Sequence, residues 1–440
     1  MKDKPLPHLK CPALLITAPA SGHGKTSVTA AIARYFSRQG LRVRCFKTGP
    51  DFIDPSILAK ASGQAVYNLD TWIMGAAHSQ QLLYEAAQES DLILVEGVMG
   101  LFDGVPSSAD LAEQFGIPIV PVVDASAMAQ TFAAIVYGLS HFRRGLTVAG
   151  VVANCIASIG HGELLKTGLP SNLPFAALQR NPNMQLPERH LGLQLAQEII
   201  DIDQRLDCLA DAISATWLTE CPNPIEFFAP SMTTAILPSL QGKTIAVASD
   251  HAFCFLYEQN INCLAAMGAK IAYFSPLNDS KLPVADAIYL PGGYPELYAE
   301  KLSENTKLRA AIKAHVAQEK PLLAECGGML YLSDKLIDSA GMAFEMLGIL
   351  PATSTMHTQL AGIGSQEITL FGHTIRGHTF HYSTLTTSLP CINAKTVDGR
   401  DGEAVYRIGS VVASYLHFYF PSNPKVIAQL FCLQNNQNNE

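Results

Sequence analysis

Two short segments in opposite halves of the 440-residue chain put reactive side chains at tight turns. In the first, Ala18-Pro19-Ala20-Ser21-Gly22-His23-Gly24-Lys25-Thr26 follows an apolar run and leads into a helical pattern. Small residues, with Ser21, Gly22 and Gly24 forming the cradle, let backbone N–H groups curl around phosphate oxygens. Lys25 supplies a point charge to the β and γ phosphates, and the Thr26 hydroxyl can ligate a magnesium ion at the positive end of the helix. The usual phosphate-loop pattern wants glycine where this chain has Pro19. Proline cannot adopt a positive φ, so the loop entrance must differ. His23 reads as a solvent-facing loop residue.

Two acidic stretches accompany this loop. Lys47-Thr48-Gly49-Pro50-Asp51-Phe52-Ile53-Asp54-Pro55 carries turn residues that place Asp51 and Asp54 over the phosphate edge, although either carboxylate could simply cap a helix or close a turn. Leu94-Val95-Glu96-Gly97-Val98-Met99-Gly100-Leu101-Phe102-Asp103-Gly104 delivers Glu96 from an apolar run to the same edge, with Asp103 as a second carboxylate. Glu96 is a natural magnesium ligand. The chemistry this suggests is carboxylate activation: hydroxide is a poor leaving group, so a carboxylic acid reacts with an amine only after phosphorylation, and Lys25 with Mg²⁺ would neutralise the γ-phosphoryl in flight.

In the second segment, Pro321-Leu322-Leu323-Ala324-Glu325-Cys326-Gly327-Gly328-Met329-Leu330-Tyr331-Leu332 reads strand, sharp turn, helix, with a cysteine at the turn. Small residues permit the turn, and the helix N-terminus is expected to lower the thiol pKa. Upstream, Leu290-Pro291-Gly292-Gly293-Tyr294-Pro295-Glu296 ends a strand in a glycine pair able to present N–H groups to an oxyanion. A base must also reach Cys326. His417, in Tyr415-Leu416-His417-Phe418-Tyr419-Phe420, lies at the end of an apolar strand; His378 and His381 compete with it. Their HxxH spacing suggests a metal, but no third soft ligand is near in sequence.

The elements that must hold these groups follow from hydropathy. Ala13 to Thr17, Val43 to Lys47, Leu92 to Val95, Ile117 to Asp124 and Thr147 to Asn154 read as buried strands, separated by amphipathic stretches such as Ser27 to Arg38. Strands buried on both faces with helical crossovers imply a doubly wound parallel sheet, whose ligand edge lies at the strands' carboxyl ends. Pro222, Pro224, Pro230 and Pro238 crowd a stretch unable to sustain a helix or a central strand. The predicted organisation is therefore an α/β domain over 1–221, a linker over 222–242 and a second α/β domain over 243–440. In the latter, Thr244 to Ala248, Lys270 to Phe274, Ala287 to Leu290 and Pro321 to Ala324 are strands, and a β-rich tail runs from about Gly362 to Ser414.

Composition narrows the class. Hydrophobic residues at 48% against 15% charged are enough to fill cores and too apolar for a disordered chain. A net charge of −8 gives no footprint for nucleic acid or an anionic membrane surface. No stretch has the apolar length of a secretory leader or a membrane span. Ten cysteines at irregular spacings, with no CxxC pair, read as reduced thiols, so the cytoplasm is the expected location.

Ser21 to Thr26, Lys47 to Pro55, Val95 to Gly104, Leu290 to Glu296, Ala324 to Leu332, Gly377 to Ser383 and Tyr415 to Phe420, in this order, resemble the cobyrinic acid a,c-diamide synthase family of glutamine amidotransferases. The N-terminal half also looks like dethiobiotin synthetase. The resemblance implies a P-loop ATP-binding amidoligase domain followed by a class I glutamine amidotransferase-like domain. Cys326 would attack glutamine to form a thioester, aided by His417, and the released ammonia would displace phosphate from an acyl phosphate made with Mg-ATP. It further implies that Asn154 reads the adenine, that Lys47, Thr48, Asp51, Asp54 and Asp103 serve the acceptor and its acyl phosphate, and that Thr26, Asp51 and Glu96 hold the metal. Many glutamine amidotransferases carry a Glu two residues beyond the histidine; this chain has Tyr419 there, so a Cys-His dyad is expected. The implied partners are cobyrinic acid and glutamine, with a homodimer left open. Rival acceptors are hydrogenobyrinic acid and nickel sirohydrochlorin, and the rival class is a P-loop regulatory ATPase with a degenerate amidotransferase tail.

Overall fold

The computed structural model describes residues 7–189, 192–230 and 236–432. The chain divides into two compact units, Met1–Thr233 and Thr234–Glu440.

In the first unit the apolar runs become one parallel sheet in the spatial order Tyr67–Leu69, Val43–Thr48, Leu92–Glu96, His8–Thr17, Ile119–Asp124, Val151–Ile156, Phe175–Gln179. Its central strands Leu92–Glu96, Ile119–Asp124 and the Ala13 to Thr17 part of the first strand are buried on both faces, as the packing of helices on both sides requires. The His8–Thr17 strand lies between Leu92–Glu96 and Ile119–Asp124, so the chain crosses over it and leaves a crevice at its carboxyl end. Helix Lys25–Arg38 begins there. Val28, Ile32 and Phe36 on that helix enter the same core as Ile57 and Leu58 of Asp54–Ser62 and Leu206 and Leu209 of Ile202–Ala212.

The proline-rich stretch is not connector throughout. Pro224–Phe228 is a strand paired antiparallel with the start of His8–Thr17, in the register Pro224↔Pro12 to Phe228↔His8. A first-position proline needs no ladder donor, and this pairing covers residues that precede the parallel ladder, which starts at Ala13↔Ile93. The prolines are excluded from a central strand, as expected, but part of the stretch read as a linker is this outer strand.

The second unit carries a ten-stranded mixed sheet. Lys270–Phe274, Thr244–Ala248, Ala287–Leu290, Leu322–Glu325 and Val411–Ser414 run parallel. Asp401–Ile408, Cys391–Thr396, Gly362–Leu370, His373–His381 and His417–Phe418 continue it antiparallel. Thus the β-rich tail extends the same sheet. The β structure also starts earlier than expected: Ser333–Ile337, Ala343–Glu345, Leu350–Met356 and Ser383–Thr386 form a separate four-stranded sheet. Buried residues gather into two clusters, one including Ile288, Leu322, Cys326 and Met329, the other Tyr289, Leu323, Phe418 and Phe420. The alternation of Ile288 with Tyr289 and of Leu322 with Leu323 between clusters is the period-two signature of strands buried on both faces.

Candidate active sites

At the phosphate loop, Gly24 stands in the left-handed region at φ 91° and precedes the helix with no side-chain cap. Any Cβ there would collide with the amide of Asn154, so glycine is required twice over, by conformation and by space. Asn154 donates Nδ2 to the His23 carbonyl at 3.1 Å, and the His23 ring accepts from the Asp124 amide at 2.8 Å. His23 is therefore a tie between the loop and the neighbouring strand, not the solvent-facing residue expected; burial lowers its pKa. Asn154 sits where regular pairing of Val151–Ile156 breaks, just before Cys155 at φ 57°. Ser21 and Gly22 are exposed at the loop tip. The Lys25 ammonium is curled onto the carbonyls of Met99 at 2.6 Å and Ala20 at 3.1 Å. Burial, with repulsion from Lys47, lowers its pKa to about 8.

Beside it the acidic stretches converge on Lys47. Its Nζ donates to Glu96 Oε1 at 2.7 Å and Asp54 Oδ2 at 2.6 Å, and stands 3.7 Å from Asp51 Oδ2. The Thr26 hydroxyl donates to the same Glu96 oxygen at 2.8 Å. Three carboxylates facing one ammonium leave an excess of negative charge. Burial pushes Glu96 up to about 7, with Lys47 partly opposing. Burial and Asp54 push Asp51 up to about 7 as well. Asp54 is buried too, but Lys47 more than offsets that and holds it low. For Lys47 burial works against the charge and the three carboxylates more than restore it, so its pKa is raised.

Asp51 does both things the sequence left open. Its Oδ1 accepts from the amides of Ile53 and Asp54, closing the turn, while Oδ2 faces Lys47. Thr48 points elsewhere than expected for a substrate contact: it bonds Ser108 Oγ at 3.0 Å and accepts from the Val98 amide at 2.7 Å, holding the segment after Glu96. Asp103 lies outside the Lys47 cluster, exposed, accepting from Gly100 N at 3.0 Å within its own turn. Sequence reasoning missed Asn68, whose Nδ2 donates to the carbonyls of Gly49 and Asp51 and props the acidic loop.

Metal fit can be judged from the donors. Among the described residues no three acidic, histidine or cysteine side chains form a metal cage. A magnesium ion carried by nucleotide phosphates needs only one or two protein oxygens and keeps its waters. Buried Glu96 Oε2 has no hydrogen-bond partner and the Thr26 hydroxyl adjoins the same carboxylate, so the residues fit that requirement.

In the second unit Cys326 occupies the turn between strand Leu322–Glu325 and the short helix Gly327–Leu332, at φ 45° and ψ −109°. Positive φ at a non-glycine is a strained position, as at a nucleophile elbow. The two glycines after it are needed for close approach: a Cβ on Gly328 would strike the Leu290 carbonyl, and one on Gly327 would come 2.8 Å from Pro295 Cδ and 2.9 Å from Gly293 N. A Cβ on Gly292 would run into the His417 ring and reach Cys326 Cβ at 3.3 Å, so both side chains stand beside this glycine. The structure therefore brings Cys326, His417, Gly292 and Gly293 together. The Cys326 amide itself donates to Ser414 O at 2.7 Å.

The expected fall in thiol pKa is reversed. Burial pushes the Cys326 thiol up, the Glu296 carboxylate adds to that, and a hydrogen bond from Gly327 only partly counters it. Burial likewise drives His417 well below its ordinary range, with His378 and His381 adding repulsion. Burial thus favours the uncharged form of both side chains. His378 stacks on His417 with ring centroids 4.9 Å apart and pairs through Nδ1 with the Tyr257 hydroxyl at 2.9 Å. His381 uses both nitrogens, toward Glu403 at 2.9 Å and Ser383 O at 2.8 Å, and stacks on Tyr415.

Comparison with known proteins places both sites in context. Residues 14–191 match the CobQ/CobB/MinD/ParA nucleotide binding domain, and residues 244–425 the CobB/CobQ-like glutamine amidotransferase domain. The chain is 53% identical to the hydrogenobyrinate a,c-diamide synthase of Stutzerimonas stutzeri, over 96% of this chain and 98% of that one. It is 51% identical to the hydrogenobyrinate a,c-diamide synthase of Pseudomonas aeruginosa, over 96% and 97%. It is 47% identical to the cobyrinate a,c-diamide synthase of Herminiimonas arsenicoxydans, over 95% and 96%. Among the described residues no helix is long and apolar enough to cross a membrane. With a nucleotide-binding unit, an amidotransferase unit and near full-length similarity to such enzymes, the chain belongs to the family of hydrogenobyrinate and cobyrinate a,c-diamide synthases.

Proposed function

We propose that this protein amidates the a and c side-chain carboxylates of cobyrinic acid, consuming ATP and taking ammonia from glutamine, in the biosynthesis of the cobalamin corrin. The observation that carries this reading is the presence, on one chain, of a cysteine elbow facing a neutral histidine and a phosphate loop facing an acidic cluster.

In the glutaminase half, the Cys326 sulfur attacks the glutamine carboxamide carbon as neutral His417 takes the thiol proton. N–H groups at Gly292 and Gly293 meet the oxyanion. The proton then goes from His417 to the departing nitrogen, ammonia leaves, and water hydrolyses the thioester to glutamate. A thiol kept protonated at rest gains reactivity only when substrate and base are both in place, which limits idle chemistry at the site.

In the synthetase half, a carboxylate oxygen of the acceptor attacks the γ-phosphoryl of ATP and ADP leaves; ammonia then displaces phosphate from the acyl phosphate. Lys25 leaves its loop carbonyls for the β and γ oxygens, Asn154 adjoins the adenine, and Lys47 with Asp51 and Asp54 orients the acceptor carboxylate. Thr26 and Glu96, with Asp51 beside them, would hold magnesium, which when bound neutralises charge on the transferring phosphoryl. Thr48 and Asp103 shape the loops around this site.

A second acceptor, hydrogenobyrinic acid, is favoured by a specific observation: the relatives at 53% and 51% identity are both named for it. The test is mass spectrometry of each acceptor after incubation with the protein, Mg-ATP and glutamine, with ADP and glutamate counted. Two carboxyl-to-amide conversions, each matched by one ADP and one glutamate, are expected. The acceptor that turns over faster settles the metal state. Glutamate and ADP without corrin amidation would redirect the search to nickel sirohydrochlorin, and no turnover of either would favour a regulatory ATPase.

A further inference from the structure

The position two residues beyond His417, where an acid would complete a triad, is Tyr419, and its backbone amide is bonded to Arg376 O at 2.9 Å. A buried acid stands elsewhere, directly before the nucleophile. Glu325 is 1% exposed at the end of strand Leu322–Glu325. Its Oε1 accepts from the Phe418 amide at 3.1 Å and its Oε2 from the Tyr289 hydroxyl at 2.6 Å.

The topology explains why that contact matters. His417–Phe418 is a two-residue strand at the end of the ten-stranded sheet, paired on one side only, with His373–His381 through Gly377↔Phe418 and His378↔His417. On its other side the backbone ladder does not reach Leu322–Glu325, yet His417 stands beside Gly292 and Cys326. Side chains span the seam. Glu325 takes the Phe418 N–H, and Asn260 takes the Phe418 carbonyl at 2.8 Å and the Phe420 amide at 2.8 Å. Glu325 reaches the Phe418 backbone from the side of the sheet where Tyr289 and Phe418 are buried, whereas Cys326 belongs to the cluster on the other side.

We infer that Glu325 is a positioning residue of the glutaminase site: one buried carboxylate, covalently next to the nucleophile and hydrogen-bonded next to the base, sets the distance between Cys326 and His417. This rests on the Cys326–His417 reading above. Burial raises its pKa to about 8 and the hydrogen bonds from Tyr289 and the Phe418 amide oppose that; its part is to anchor the Phe418 backbone, with Tyr289 holding the carboxyl in place.

The test compares Glu325→Ala, Glu325→Gln and Tyr289→Phe with the wild type. Glutaminase kcat and KM are measured, and the pH profile of Cys326 alkylation by iodoacetamide is followed on its own peptide. Glu325→Ala is expected to lower kcat by about 10- to 100-fold with KM for glutamine little changed, because a misplacement of an ångström costs on this scale. Its alkylation profile should also shift, because the change removes one of the carboxyls that raise the Cys326 thiol and releases the backbone beside His417, a shift that loss of fold stability alone would not produce. Glu325→Gln keeps an acceptor oxygen for Phe418 and should recover most of kcat. If Glu325→Ala does not fold, Tyr289→Phe decides, with an expected fall of about 3-fold or more. Wild-type kcat and an unmoved profile in Glu325→Ala, or in Tyr289→Phe where that variant decides, would overturn the inference, as would Glu325→Gln failing as badly as alanine. Absence of glutaminase in the wild type would instead overturn the Cys326–His417 reading itself.

Discussion

In the first unit Lys47 draws three carboxylates into one buried cluster, with Lys25 curled beside it, whereas in the second unit burial disfavours the charged forms of Cys326 and His417. The difference follows from what each site receives. A nucleotide brings several negative charges, so the protein must hold opposite charge ready, and an acidic cluster that has more anions than cations is ready for a divalent ion. Glutamine's side chain brings no charge to the reacting carbon. On the function proposed above, the second site has no need of resting charge and would separate it only during the reaction, by passing a proton from sulfur to imidazole.

Four substitutions would break or sharpen this contrast. Cys326→Ala should cut glutamine-dependent amidation by at least about 10⁴-fold while free ammonia still supports synthesis, as measured by corrin amide formation with each nitrogen source. Lys25→Ala should abolish the contrast, lowering synthesis from glutamine and from ammonia alike by on the order of 10³-fold. Gly292→Ala drives a methyl against the His417 ring and should reduce glutaminase turnover by about 10- to 100-fold, with nucleotide affinity by calorimetry unmoved. The smallest effect is one of stability. Glu96→Gln should raise the thermal midpoint of the nucleotide-free protein by a few degrees, about 1–2 kcal/mol, while removing synthesis.

The sign of that last effect comes from proton linkage. Glu96 has an ordinary value of 4.5 and a folded-state value pushed to about 7, so between these pH values the folded chain binds more protons than the unfolded one. Its contribution to stability is present below 4.5 and is lost as pH rises through 7. Asp51 runs in the same direction from 3.8 to about 7. The nucleotide-free protein should therefore lose stability across this window, and Glu96→Gln should flatten the slope. A slope left unchanged would show that Glu96 is not the strained member of the cluster.

Local signals made much of this legible in the sequence. Thr244–Ala248 and Ala287–Leu290 stand where their apolar runs put them, because strands buried on both faces leave no polar interruption; the edge strand Lys270–Phe274 is marked by a short apolar run although it is only partly buried. Lys25, Thr26 and Cys326 are marked by neighbours in the chain: small residues beside them and a helix after. What escaped was long-range. The pairing of Pro224–Phe228 with His8–Pro12 depends on a partner more than two hundred residues away, and prolines there suggested the opposite. His23 binds Asp124, Thr48 binds Ser108, and Glu325 binds Phe418; each contact is set by the sheet order and by no local pattern. Glu325 did leave a trace, an acid ending the apolar run Leu322-Leu323-Ala324, which is the kind of residue that must find a partner once buried. The thiol pKa was misjudged because a helix start was weighed and the depth of the elbow, invisible in sequence, was not.

The strand Pro224–Phe228 has a practical consequence for anyone dividing this gene into separately expressed halves. The chain's exit from the first unit is zipped to its entrance, so a cut at the first proline of the stretch would strip a neighbour from the strand that leads into the phosphate loop. The half so produced would display an open strand edge at His8–Pro12, a template for aggregation or for pairing with a second copy. A cut placed beyond Phe228 keeps the zipper closed, and the solubility of the two versions would report how much that short strand guards.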